Sequence, residues 1–347
     1  MTTKITKPSC WQKFGLHWDE VDPAFHDPHI INGYREPGMS VSDCLRSTTV
    51  HYCNETVNVW THFVAFLYFF VNFFYRYTNG AADIFNWPLV AYSLGCQGFC
   101  LMSALAHTFN SISPTMRNIC FSLDYAAINV YVVGAAQAFF FYSRPLEHSY
   151  YAGLFRHPVV FSVVSVLLSF ATTVQCCVTR QKKSLAASRY LYRTASLVMP
   201  FIWTTSPYLF RLASLQNDDN SIDSTSTTSS FFYLHGSMYM VAAVINVIRV
   251  PERYYPGMFC AIGQSHHWMH ILTAVGAAVQ LEGVRVDLIN RKGALVQQEH
   301  QSDSRYSLVY MFVAMVVNFS VAVWFGCNTT ETNNENMKSK SVTNKSE

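Results

Sequence analysis

Charge is scarce in this chain. Asp, Glu, Lys and Arg make up only 13% of the 347 residues while 50% are hydrophobic, a balance that excludes an ordinary soluble domain. The formal net charge is only +3, the lysines and arginines are scattered, and no RNA- or DNA-binding motif occurs, so no nucleic-acid partner is expected. The ten cysteines include no CxxC pair and show no disulfide-scaffold spacing. Several of them, such as Cys96, Cys100, Cys176 and Cys177, lie in or beside apolar runs and read as small hydrophobes. The N-terminal segment has no basic-then-apolar stretch with a small-residue cleavage site, so no signal peptide is expected. No internal repeat is detectable. What is abundant is aromatic and apolar: 26 Phe, 20 Tyr and a succession of long apolar runs, the composition of a polytopic membrane protein.

Crossing the hydrocarbon core takes about 20 mostly apolar residues in a helix. Seven segments satisfy this, at 57–76, 86–108, 120–142, 158–179, 231–250, 264–284 and 306–326. An eighth, 190–212, is weaker because it carries Arg193, Pro200 and Pro207, although prolines are tolerated where neighbours satisfy the freed carbonyls. The expected fold is an all-α polytopic membrane helical bundle with seven core spans plus an eighth C-terminal span. Residues 1–56 form a cytosolic N-terminal segment, 57–326 the eight-span bundle, and 327–347 a polar, low-complexity cytosolic tail expected to be disordered. With eight spans, 16 of the 24 Lys and Arg fall on the side that holds both termini, which the positive-inside rule makes cytosolic. Dropping the weak span leaves the tally and the N-terminal side unchanged. The acidic, Ser/Thr-rich loop 216–230 is expected outside, solvated and flexible. Sequons at Asn54, Asn328 and Asn344 would then be cytosolic and unmodified.

Three histidines at the ends of these segments carry the functional reading: His107 in SALAHT, and His266 and His270 in SHHWMH. An ionisable side chain at membrane depth is expensive and is by default a functional-site candidate. Because spans alternate direction, the second span ends, the third begins and the seventh begins on one side of the membrane. His107, Asp124, His266 and His270 therefore share one depth. His266 and His270 are i and i+4 on one helix face, a good bite for one metal ion, and neutral imidazole is a preferred zinc ligand. Ser103 precedes His107 by the same interval and points to the same region. Three protein ligands plus a water is the composition of a catalytic rather than a closed structural zinc site. Asp124 is then a partner to an imidazole or bound water, or a general base.

Taken singly, each residue has a plainer reading. A lone intramembrane histidine is more often an interhelical hydrogen-bonding contact, a serine in a span often bonds its own i−4 carbonyl, and Asp124 can cap or sit at the interface. Jointly, on one side and at helical spacing, they favour the metal. His267 points to a different face and reads as packing or support. Glu55, Asn58 and His62, which open the first span on the same side, either join a polar network around the metal or form an interfacial rim with Trp60 as a belt residue. Ser265, next to His266, is grouped with Glu55 and Asn58 as a supporting polar residue. Glu282 and Asp287, at the far end of the seventh span, read as outer-rim charges. His235 reads as a packed or headgroup-level residue.

Five ordered motifs, N-E-T-V-N-V-W-T-H (54–62), S-x-x-x-H (103–107), L-D-Y (123–125), P-E-R-x-x-P-G-x-F (251–259) and S-H-x-x-x-H (265–270), resemble the progestin and adipoQ receptor family. The resemblance runs from about Gly33 to the eighth span. N-G-Y-R-E-P (32–37), S-I-S-P-T-M-R-N-I-C (111–120), Q-L-E (280–282) and the eighth span resemble its membrane progestin receptor branch. The resemblance implies a helical bundle with a cytosolic N-terminus and zinc held by His107, His266 and His270, with Asp124 and Ser103 nearby. It also implies kinship with intramembrane hydrolases such as the alkaline ceramidases. The chain departs from the family at Cys260, where many members have an acid, and at His267, where they usually have Gln.

Two functions follow. The resemblance implies a plasma-membrane receptor for progestins or related steroid or lipid ligands, signalling inward through inhibitory heterotrimeric G proteins. An apolar, aromatic bundle can hold a sterol-sized ligand, though no D-R-Y or N-P-x-x-Y signature is present. The site chemistry supports more directly a zinc-dependent lipid amidohydrolase, with zinc polarising an amide carbonyl, Asp124 taking a proton and Ser103 steadying the oxyanion; the two are compatible, since a steroid bound in the bundle could stimulate hydrolysis. A structural zinc tying the second and seventh spans needs no substrate. The receptor is the preferred reading.

Overall fold

Polar caps and prolines set where the helices start. Ser113 accepts a hydrogen bond from the Met116 amide (3.0 Å) and Pro114 occupies the first turn, so the third long helix begins ahead of the apolar run read from 120. The computed structural model describes residues 15–50, 52–79, 86–147, 149–185, 188–215, 226–296 and 301–343. Among these residues the fold is helical, with no β-strand. In chain order the helices are α1 (Val41–Ser47), α2 (Thr56–Asn79), α3 (Trp87–Phe109), α4 (Pro114–Ala138), α5 (Pro158–Gln181), α6 (Arg189–Ser196), α7 (Val198–Leu215), α8 (Ser226–Ile248), α9 (Ser265–Val296) and α10 (Ser307–Thr343). A π-turn over Phe139–Ser143 prolongs α4. The Ser/Thr-rich loop expected at 216–230 lies outside the described residues up to 225, and from Ser226 it is helix.

Six helical segments among the described residues are long and apolar enough to cross a membrane: Thr56–Arg76, Trp87–Phe109, Pro114–Ser143, Pro158–Gln181, Thr228–Ile248 and Asp303–Asn328. The other two expected spans are also helices but fall short of that measure. The weak one is α7, with Pro207 inside it. The other is α9, whose 32 residues include three histidines, Gln280, Glu282, Arg285 and Asp287. Its apolar content is diluted because its inward face is polar.

Helices α2, α3, α4, α5, α7, α8 and α9 pack as a ring, with α10 outside against α4 and α5. Between α7 and α8 the Tyr208 ring packs on Phe232 (4.5 Å between centroids) and its hydroxyl donates to Ser229 (2.9 Å). Asn318 of α10 donates to Ser169 of α5 (3.1 Å), and Gln181 to the Phe325 carbonyl (2.7 Å). Helices α3 and α4 approach closely. A Cβ on Gly95 would lie 2.9 Å from Tyr131 Cα, and one on Gly134 would lie 2.8 Å from the Ala91 carbonyl oxygen. Facing small residues let two helix backbones come this near, and the contact fixes α3 against α4.

Residues 15–50 form a cap at one end of the ring. Val21, Phe25, Ile30 and Tyr34 bury together with Cys260, whose Sγ accepts the Ile31 amide (3.4 Å). A thiol suits this apolar contact, where an acid would be buried without need. Eight of the nine described cysteines are buried and none is in a disulfide.

Candidate metal centre

The last turn of α3 carries His107, and the first turns of α9 carry His266 and His270. The three imidazoles meet. One ring nitrogen of each lies within 4.8 Å of the others, and the centroids are 5.1, 5.1 and 4.4 Å apart. Nε2 of His107 and Nε2 of His266 are separated by 3.2 Å. Two nitrogens held tetrahedrally on one zinc at ~2.05 Å would be about 3.3 Å apart.

Neighbouring acceptors decide which nitrogens face the centre. Glu55 Oε2 lies 2.7 Å from His107 Nδ1 and accepts a hydrogen bond from its N–H, which leaves Nε2 facing inward as a lone-pair donor. The Thr61 hydroxyl donates to the Asn58 carbonyl (3.0 Å), so at 3.1 Å it accepts from His270 Nδ1 and leaves that Nε2 free as well. His266 Nδ1 is buried with no hydrogen-bond partner among the described residues. Three convergent imidazoles, of which His107 and His270 are buried and fixed in the ligating tautomer and His266 is half-buried, fit a zinc ion.

Glu55 is only 4% exposed, and it also accepts from Asn58 (2.8 Å) and Asn110 (2.7 Å). At the start of α2, Glu55, Asn58 and His62 are all buried rather than exposed. Trp60 alone is exposed, its indole donating to the Thr48 carbonyl (2.8 Å). His62 is buried, stacked nearly parallel on His270 (3.8 Å between centroids, 13°). Ser265 is not at the imidazoles. Its amide (2.8 Å) and hydroxyl both donate to Glu252, a fully buried carboxylate of the P-E-R motif that caps α9 one residue before His266.

Asp124 lies ten residues into α4 rather than in its first turns. It shares a face with Phe121, whose ring packs edge-on against His107 (5.4 Å). Ser103 donates to Asp124 Oδ2 at 3.5 Å, while Oδ1 is buried with no partner among the described residues. His267 faces away, its Nδ1 accepting the Gly263 amide (3.1 Å). His235 is packed among Phe139, Phe232 and Tyr239. Glu282 sits at the rim, half-buried between Arg76 (3.0 Å) and Arg285. Asp287 does not: it is 1% exposed, in an ion pair with Arg211 (2.8 Å) inside the bundle. The outer-rim reading of Asp287 is corrected on that ground.

Sequence reasoning missed Arg35, which lies in the N-G-Y-R-E-P motif. Its buried guanidinium donates to the carbonyls of His107 (2.6 Å) and Thr108 (2.8 Å), to Asn110 Oδ1 (2.6 Å) and to Ser47 Oγ (3.0 Å). The last carbonyls of a helix have no partner of their own and carry its negative dipole end, so this cation closes α3 at His107. Arg35→Met is expected to lower the stability of the purified protein by about 3 kcal/mol, read from its unfolding curve. Arg35→Lys should recover only part of that, because a compact ammonium lacks the planar fork.

A family model described as haemolysin-III related matches residues 50–281, a stretch that contains every residue of the centre from Glu55 to His270. The chain is 31% identical over 287 residues to membrane progestin receptor gamma of Homo sapiens, covering 79% of this chain and 81% of that protein. It is 32% identical over 315 residues to membrane progestin receptor delta of Mus musculus, covering 89% of each. With membrane progestin receptor delta of Homo sapiens it shares 33% identity over 290 residues, 82% of each. Apolar helices, motifs and relatives agree: the chain is a multi-pass membrane protein that belongs to the haemolysin-III-related progestin and adipoQ receptor family, alongside the membrane progestin receptors.

Proposed function

We propose that this protein is a plasma-membrane receptor for a progestin or related steroid, with zinc held inside the bundle by His107, His266 and His270. The observation that carries the receptor reading is its similarity, over 79–89% of the chain, to proteins named as membrane progestin receptors. In this reading α7 and α9 cross beside the six apolar helices, giving seven core spans plus α10. The Lys and Arg balance puts the N-terminus, the cap and the histidine end in the cytosol. Signalling then runs inward to a heterotrimeric G protein.

Bound zinc would supply a Lewis acid that polarises a carbonyl and acidifies water. Glu55 and Thr61 orient His107 and His270, and Glu252 holds the start of α9 so that His266 faces them. The unpartnered oxygen of Asp124 favours a second reading, a ceramidase-like lipid amidohydrolase. There Asp124 would hold the proton taken from water, and Ser103 would orient the Asp124 carboxylate or donate to the substrate carbonyl oxygen.

One purified sample tests both. Saturable binding of tritiated progesterone, and progesterone-dependent nucleotide exchange on an added G protein, are the expected results. Absence of specific binding overturns the receptor. Ceramide hydrolysis abolished by chelator and by Asp124→Ala supports the hydrolase, and turnover that survives Asp124→Ala removes it.

A further inference from the structure

Near the histidine centre, between the N-terminal cap and α6, lies a cavity of about 380 Å³ lined in part by Trp18, His26, Asp27, His29 and Arg189. Beside it three guanidinium groups gather on one ring: Arg189, Arg193 and Arg249 stand 5.2, 4.7 and 4.5 Å from the centroid of Tyr190. Like charges so close repel, and the tyrosine face offsets only part of that. The neighbouring carboxylates are already engaged. Both oxygens of Asp27 bind Arg117 at 3.1 Å, and Glu252 binds the Ser265 amide and hydroxyl, with Arg249 at 3.4 Å.

Neither Arg189 nor Arg193 is in an ion pair among the described residues. Arg189 Nε is buried with no partner there, while Arg193 donates to the Arg189 carbonyl (3.3 Å) and to the Tyr125 hydroxyl. Arg249 is held in the left-handed region (φ +60°), uncommon for a residue with a side chain. A cluster of planar cations short of counter-charge is built for an anion that accepts several forked hydrogen bonds, and phosphate does so.

The surroundings say where the phosphate comes from. Arg189 and Arg193 are i and i+4 on one face of α6, while Leu191 and Tyr192 are 53% and 45% exposed on the other. The loop that starts at Arg249 exposes Tyr254, Tyr255, Met258 and Ile262. In a membrane protein, a short amphipathic helix and an adjoining loop rich in exposed aromatic and aliphatic side chains lie at the headgroup level. We propose that Arg189, Arg193 and Arg249 form a binding site for the phosphate of an anionic phospholipid headgroup in the leaflet at the histidine end. This site is independent of the receptor reading.

The test uses the purified full chain in neutral detergent, titrated with dioctanoyl phosphatidylinositol 4-phosphate, dioctanoyl phosphatidylcholine and inorganic phosphate. Saturable binding of the phosphoinositide is expected, about tenfold or more tighter than that of the other two, and weakened about tenfold or more in Arg189→Gln/Arg193→Gln. The unliganded unfolding midpoint of that variant should hold or rise, because repulsion is relieved. Should it fail to fold, Arg189→Gln alone carries the same expectation, and Arg193→Lys, which keeps the charge but not the planar fork, should bind more tightly than the glutamine variants and less tightly than wild type. Undiminished binding by the glutamine variants overturns the proposal, as does phosphatidylcholine binding as tightly as the phosphoinositide. Inorganic phosphate binding as tightly as the lipid also overturns it, since that describes a free-anion site.

Discussion

Purified wild-type protein is expected to carry one zinc per chain, and His107→Ala to carry less than about a tenth of that, because two imidazoles and water do not replace a three-ligand set. His107 comes from α3 and the other two from α9, yet their ring nitrogens lie within 4.8 Å of one another, with Glu55 and Thr61 holding the outer nitrogens of two rings. Removing the anionic acceptor while keeping its shape, as in Glu55→Gln, should weaken zinc by about 10–100-fold without emptying the site at saturating metal. Asp124→Asn touches no imidazole nitrogen and should leave zinc content unchanged. Because the ion would tie α3 to α9, chelation should lower the stability of wild type, by about 4 kcal/mol for metal present at a thousand times its Kd. His107→Ala should be insensitive to chelator. Metal analysis of the four proteins side by side is the check, and equal zinc in wild type and His107→Ala would remove the metal from the account.

The residues that form this centre were legible in the sequence to the extent that helical geometry alone placed them. Apolar runs located every long helix, and i, i+4 spacing put His266 and His270 on one face. The alternation of spans then brought His107 to the same end. Side-chain partners drawn from distant segments were not legible. Glu55 read equally well as rim or network, because nothing local says that Asn110 and His107, more than fifty positions away, will bond it. Arg35 lies over seventy positions from the carbonyls it closes. The start of α4 was misplaced because hydropathy ignores the Ser113–Pro114 cap. Asp287 reads as a rim charge in the sequence because a charge near the end of an apolar run usually is exposed. Helix α9, however, continues to Val296, and its buried residues His270, Ala277, Gln280, Val284, Asp287 and Arg291 return to one face at helical spacing.

That inward face gives the second large expectation, since Asp287→Ala should destabilise the protein by about 3–5 kcal/mol. The carboxylate accepts from Arg211 (2.8 Å) and Thr228 (2.8 Å) on one oxygen and from Ser143 (2.6 Å) on the other, joining α7, α8 and the end of α4 to α9. Both charged side chains are 1% exposed. Removing the acid alone leaves a guanidinium buried without its counter-charge, the costly half of such a pair, and strands two hydroxyls at about 1 kcal/mol each. Arg211→Met should be comparably damaging, because it leaves the carboxylate instead. The double variant Arg211→Met/Asp287→Leu should regain much of the loss, since the desolvation of the pair offsets most of its attraction. A double-mutant cycle on unfolding midpoints checks this, with coupling expected to exceed about 2 kcal/mol. Zinc content gives the independent readout. Asp287 is seventeen residues along α9 from His270, so the folded fraction of Asp287→Ala should bind zinc as wild type does. A loss of zinc there would mean that the two ends of α9 are not independent and that the buried pair sets the depth at which the histidines sit.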